Sequence, residues 1–170
     1  MARIHAPENS KPFRRVGRPQ FSLDNVHVLF YTLNEDHMSF DLFLQNFRRG
    51  EIATFPRAVV ESAFKGYLKE VDPEFSILNF PDGGSSELYI NKGAAISDFM
   101  IARPANSPEL WQGLLDILRC TSGVLFWPGG GAVVANESVV QNLPESVIEA
   151  VGVPTVVHEP EEIPRLISEG

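Results

Sequence analysis

The sequence predicts a single α+β domain, with a largely antiparallel sheet and helices packed on one face. Three observations predict it. Alternating apolar segments follow one another between residues 75 and 103, separated by turn-forming residues. Helical stripes that begin at proline or serine flank that run. After residue 120, short strand-like segments alternate with short helical ones.

Residues 1–37 form an N-terminal extension, and residues 38–170 the domain. Residues 1–20, with Pro7, Pro12 and Pro19 and almost no periodic apolar pattern, read as an irregular, disordered tail. Val26 to Thr32 is rich in β-formers and predicts a strand. Phe40, Leu42 and Leu44 then alternate with Asp41, Phe43 and Gln45, which predicts a strand turning at Arg48-Arg49-Gly50-Glu51. Thr54-Phe55-Pro56 predicts a helix start, and Val59, Val60, Ala63, Phe64, Tyr67, Leu68 and Val71 continue it at helical spacing up to Pro73.

Phe75–Phe80 and Ser86–Ile90 flank Pro81-Asp82-Gly83-Gly84, and Asp-Gly supplies the positive φ angles of a tight hairpin. Ser97–Arg103 predicts a third strand, and a meander is the simplest topology for the three. Ser107-Pro108 opens a helix whose buried stripe is Leu110, Trp111, Leu114, Leu115 and Leu118. Val124–Trp127 and Ala132–Ala135 read as short strands around the Gly129–Gly131 loop. Asn136 caps a helix running through Leu143. Pro144 starts another that Gly152 stops; Thr155–His158 is a last strand, and a helix with Pro164 in its first turn ends the chain.

With 170 residues and a 44% hydrophobic share the chain can bury a core, so wholesale disorder is excluded. No apolar run approaches the roughly 20 residues of a membrane helix. Residues 1–20 contain no apolar signal segment, so a cytoplasmic protein is expected. Cys120, the only cysteine, allows no internal disulfide and no cysteine-rich zinc site. Its neighbours Leu118 and Val124 suggest a buried structural thiol. The net charge is −8; residues 1–20 carry +4, so the remainder carries −12. Such a body is a poor partner for nucleic acid and a better one for a basic protein, although acid also simply keeps proteins soluble.

No motif specifies catalysis. Gly129-Gly130-Gly131 lacks both the lysine and the spacing of a phosphate loop and reads better as a turn. The histidines His5, His27, His37 and His158 show no ligand spacing, so neither metal nor cofactor is expected. Glu159, Glu161 and Glu162 read as a solvated face at a helix start. Asp82 and Glu87 sit around the hairpin turn, where both are expected to face outward. Trp127, between Phe126 and Pro128, has two readings: an exposed anchor, as at binding hot spots, or a tryptophan closing one end of the core. Asp82, Glu87 and Trp127 are the candidate partner-binding residues.

Met38-Ser39-Phe40-Asp41-Leu42-Phe43-Leu44-Gln45-Asn46-Phe47, with Gly50-Glu51 following, resembles the opening of a family of small uncharacterised bacterial proteins that begin M-S-F-D-(apolar)-x-L-Q-x-F. Phe55-Pro56-Arg57, Pro81-Asp82-Gly83-Gly84-Ser85 and Phe126-Trp127-Pro128 extend the resemblance over about Met38 to Gly170. The family brings no established activity, but some members resemble immunity proteins, the antidotes encoded beside secreted toxins. The resulting expectation is a non-catalytic binding protein that neutralises a cognate basic toxin domain. The alternative is an enzyme or small-ligand-binding domain with a site around Trp127 and the Gly129–Gly131 loop.

Overall fold

The computed structural model describes residues 40–70 and 75–169. The 1–37 extension, with the strand expected at Val26–Thr32, lies outside the described residues. So do Val71 and Pro73, where the first helix was expected to end.

The alternating segment after Phe40 forms β1 (Asp41–Arg48). Arg49 (φ 54) and Gly50 (φ 78) turn it into the two-residue β2 (Glu51–Ile52). That turn is tied down by Asn142, whose Oδ1 accepts from the Arg49 amide at 3.0 Å and whose carbonyl accepts from the Gly50 amide at 2.9 Å.

The helix expected from Thr54 to Val71 is much shorter. Phe55–Pro56 is β3, paired with β7 (Ala95–Ile96), and α1 spans only Ala58–Ala63. Gly66, at φ +92, adopts a left-handed conformation that ends helical winding, and the chain continues as β4 (Leu68–Glu70). The apolar stripe was a true burial signal, since Val60 and Phe64 are fully buried, but half of it belongs to a turn and a strand.

The expected meander is present: β5 (Ser76–Asn79), β6 (Ser85–Ile90) and β8 (Asp98–Ala102) are antiparallel neighbours. Helix α2 (Pro108–Cys120) follows, with Ser107 at its N-cap and Pro108 at its first position. The chain then runs through β9 (Gly123–Trp127), β10 (Gly131–Val134), α3 (Glu137–Val140), α4 (Glu145–Val151), β11 (Thr155–Val156) and α5 (Glu162–Glu169). Asn136 caps α3 by accepting the Ser138 amide at 3.1 Å, and Gly152 stops α4 at φ 76. Among the described residues the main sheet has nine strands in the order β11-β10-β9-β1-β8-β6-β5-β4, with β2 beside β1. Every neighbouring pair is antiparallel except β10 and β11.

This is the α+β architecture the sequence predicts. The principal core lies on one sheet face, where Leu42, Leu44, Leu78, Leu88, Ile101 and Leu125 meet α1, α2 and α5. The stripe of α2 is buried as expected, and each fully buried leucine contributes about 2 kcal/mol. A smaller second core corrects one part of the expectation, that the helices pack on a single face. Val133 points into the principal core while its neighbours Ala132 and Val134 join Val139, Val147 and Val151 of α3 and α4. Those two short helices therefore cover the opposite face at the β9–β10 end, because a strand sends successive side chains to opposite sides.

Cys120 is exposed, which corrects the expectation of a buried thiol. Ile117 and Leu118 fill the inward positions of the last turn of α2, and Cys120, two residues further, points away.

Candidate functional site

The sheet face away from α2 carries the candidate site, and strand register builds it. Asp41 pairs with Ala102, and Ala102 pairs with Glu87, so both carboxylates flank one alanine on the same face. One rung along, Ala132, Phe126, Phe43, Met100 and Tyr89 are partners in direct succession across β10, β9, β1, β8 and β6. Phe43 and Phe126 stack at 5.6 Å, and Phe75 stacks on Tyr89 at 5.5 Å, continuing the band towards β5. Phe126, Met100, Tyr89 and Phe75 are half-buried. Such cross-strand aromatic pairs each stabilise a sheet by roughly 0.2–1 kcal/mol.

Beside the band lies a polar cluster. Glu87 accepts a hydrogen bond from the Tyr89 hydroxyl at 2.9 Å and pairs with the Arg103 guanidinium. The Asp41 carboxylate accepts the Arg103 amide at 3.4 Å, where Arg103 holds a left-handed φ of 52. A non-glycine residue held there marks backbone that its surroundings over-determine. Burial, and then the hydrogen bond to Glu87, push the Tyr89 phenol up to about 12. A tyrosine so placed stays a neutral donor, and its carboxylate partner is occupied.

The three residues singled out in the sequence do not come together. Asp82 is exposed at the hairpin tip, where its Oδ1 accepts the Gly84 amide at 2.8 Å and shapes the turn. Glu87 is not simply held outward: its side chain is 22% exposed and engaged by Tyr89 and Arg103. Trp127 is 3% exposed and packs in the principal core, so the exposed-anchor reading gives way to the core-closing one. Its indole lies directly over Gly131, where an added Cβ would approach Cζ2 to 2.2 Å. The glycine at that position serves close packing against the ring, while Gly129 (φ +104) and Gly130 (φ +90) make the turn.

Asp41, Phe43, Tyr89, Met100, Arg103 and Phe126 were missed as a group. Alternation within each strand marks them as one face, but only the insertion of β1 between β8 and β9 brings them side by side.

Acid is also distributed differently from expectation. From Thr121 to Glu169 there are seven glutamates against Arg165 alone, a net charge of −6. The remaining described residues carry nine acids and eight bases. The acidic surface therefore belongs to the α3, α4 and α5 end, not to the Asp82–Glu87 hairpin. That end also carries Val153, 71% exposed.

Among the described residues, no three His, Cys, Asp or Glu side chains are grouped so as to hold a metal ion. None of their helices is long and apolar enough to cross a membrane. Comparison with protein-family models, with curated proteins and with solved structures returns no match for the chain.

Proposed function

We propose that this chain is a non-catalytic binding protein, acting in the cytoplasm as an immunity-type antidote that docks a basic toxin domain. The observation that carries the reading is the half-buried band of Phe126, Met100, Tyr89 and Phe75, with Glu87 and Arg103 at its side. Protein interfaces are enriched in aromatic residues, methionine and arginine, and this face combines all three. The net charge of −6 after residue 120 supplies the attraction that draws in a basic partner. The order of motifs from Met38 onward, similar to that of proteins resembling immunity proteins, supports the same reading. The small-ligand alternative loses its centre, because the Trp127 ring is packed against Gly131 and not presented.

The experiment is co-expression with the product of the neighbouring gene, followed by pull-down and binding kinetics at two salt concentrations. Tyr89→Ala is expected to speed dissociation, because it removes a contact made only in the complex. Charge reversal of exposed Glu145 and Glu149 on α4 is expected to slow association at low salt and to matter less at high salt, where screening shortens to a few ångströms. Absence of any complex, together with turnover of a small molecule by the purified chain, would replace this reading with an enzymatic one.

A further inference from the structure

A concave site lies on the other side of the sheet, among the helices. The end of α1, the start of α2 and the start of α5 line an open groove of about 560 Å³, within the volume range of small-ligand pockets. Its apolar lining includes Tyr67, Trp111, Pro108 and Pro160. Among the described residues, its only charged lining residues are the carboxylates Glu109 and Glu161, and no lysine or arginine borders it. Arg165, the nearest base in sequence on α5, is turned to Glu162 at 3.8 Å.

Two details show that the lining is organised. Ser107, completely buried, donates its hydroxyl to Glu109 Oε2 at 2.6 Å and so fixes the orientation of that carboxylate. The Trp111 indole N–H is satisfied by Asn106 Oδ1 at 3.2 Å, and its ring, 7% exposed and packed in the principal core, shows only a small part of its surface to the lining, where half-buried Tyr67 is the more accessible ring. Aromatic rings and carboxylates without a competing base attract a cation that has lost part of its hydration. An anion would meet two like charges at the rim.

We infer that this groove binds an organic cation, an ammonium or guanidinium group on a short apolar stem, with Glu109 and Glu161 meeting the charge and Tyr67 and Trp111 the stem. The inference does not rest on the proposed protein-docking face, which lies across the sheet. A free amine and a lysine or arginine side chain of a partner share this chemistry.

The test follows the two indole N–H resonances of the full chain by NMR. Trp111 reports the groove, and Trp127, packed against Gly131, is the internal control. Phenethylammonium and n-butylammonium are expected to move the Trp111 signal and leave Trp127 in place. Phenylacetate should move neither, and 2-phenylethanol should bind more weakly than its ammonium counterpart. Glu109→Gln and Glu161→Gln should each weaken the ammonium probes about twofold to fivefold, with melting temperatures retained. Tyr67→Leu should weaken them by a similar factor while keeping the lining apolar. Tighter binding of a capped lysine amide than of n-butylammonium assigns the site to a protein side chain; the reverse assigns it to a free amine. No movement of Trp111 with any ammonium probe would overturn the inference. So would equal binding of 2-phenylethanol, or unchanged affinity in both glutamine variants.

Discussion

Tyr89 shows how a single side chain reports on its surroundings. Its phenol is pushed up to about 12, first by burial and then by the bond to Glu87. A group whose folded value is raised stabilises the fold fully below its unfolded value near 10 and loses that contribution as pH rises through the folded value. Glu87→Gln is expected to lower the Tyr89 midpoint while leaving it above 10, because burial persists. A phenolate titration with Tyr89→Phe as the blank measures this, and an unchanged midpoint would show that Glu87 does not act on the ring. Gly131 is the complementary case, defined by the absence of a side chain. Its backbone runs under the Trp127 indole, so Gly131→Ala has to displace a core tryptophan. A loss of roughly 1–3 kcal/mol in urea unfolding is expected, the scale of an overpacked core.

Helix α2 is legible in the sequence nearly residue for residue. Ser107-Pro108 marks its start, and its apolar spacing is strict over three turns. Trp111, 7% exposed on that stripe, is expected to cost roughly 3–5 kcal/mol when changed to alanine, as measured by denaturant melting. The first helix is shorter than its pattern predicts because an apolar 3.6-residue spacing reports burial, not winding. Gly66 broke the winding while the burial continued through Tyr67 and Leu68. The start of α5 holds a pH-sensitive contact. The amides of His158 and Glu159 donate to Glu162 at 2.6 and 2.9 Å and hold its carboxyl below the usual glutamate range. A lowered value means that the contribution is present above about 4.5 and is lost as pH falls through the folded value. Backbone amide shifts of residues 158 and 159, followed through an acid titration, should show their transition below that of an exposed glutamate, and Glu162→Gln should abolish it.

For the whole molecule, the class of fold was legible because strand alternation, the Asp82-Gly83 turn and the capped helices all agreed. The candidate site was not legible. Asp41 and Phe126 stand far in the chain from Tyr89 and Met100, and nothing local states that β1 enters the sheet between β8 and β9. Charge was misplaced for a related reason. A sum over residues 21–170 gives a strongly acidic body, whereas the described structure concentrates that acid after residue 120.

The central position of β1 has a consequence for synthesis. Phe43 finds its ladder partners in Met100 and Phe126, whereas β5, β6 and β8 pair with near neighbours. A nascent chain therefore displays β1, apart from the end that β2 covers, with both edges open until β8 and then β9 emerge, and at roughly 5–20 residues per second that exposure lasts several seconds. An apolar strand with open edges invites pairing with other chains. A chain ending at Thr121 keeps the meander and α2 but leaves β1 permanently open on the side of β9. It is expected to sediment as aggregate when the full-length protein stays in the supernatant, and a soluble monomer of that length would show that the meander protects β1 unaided.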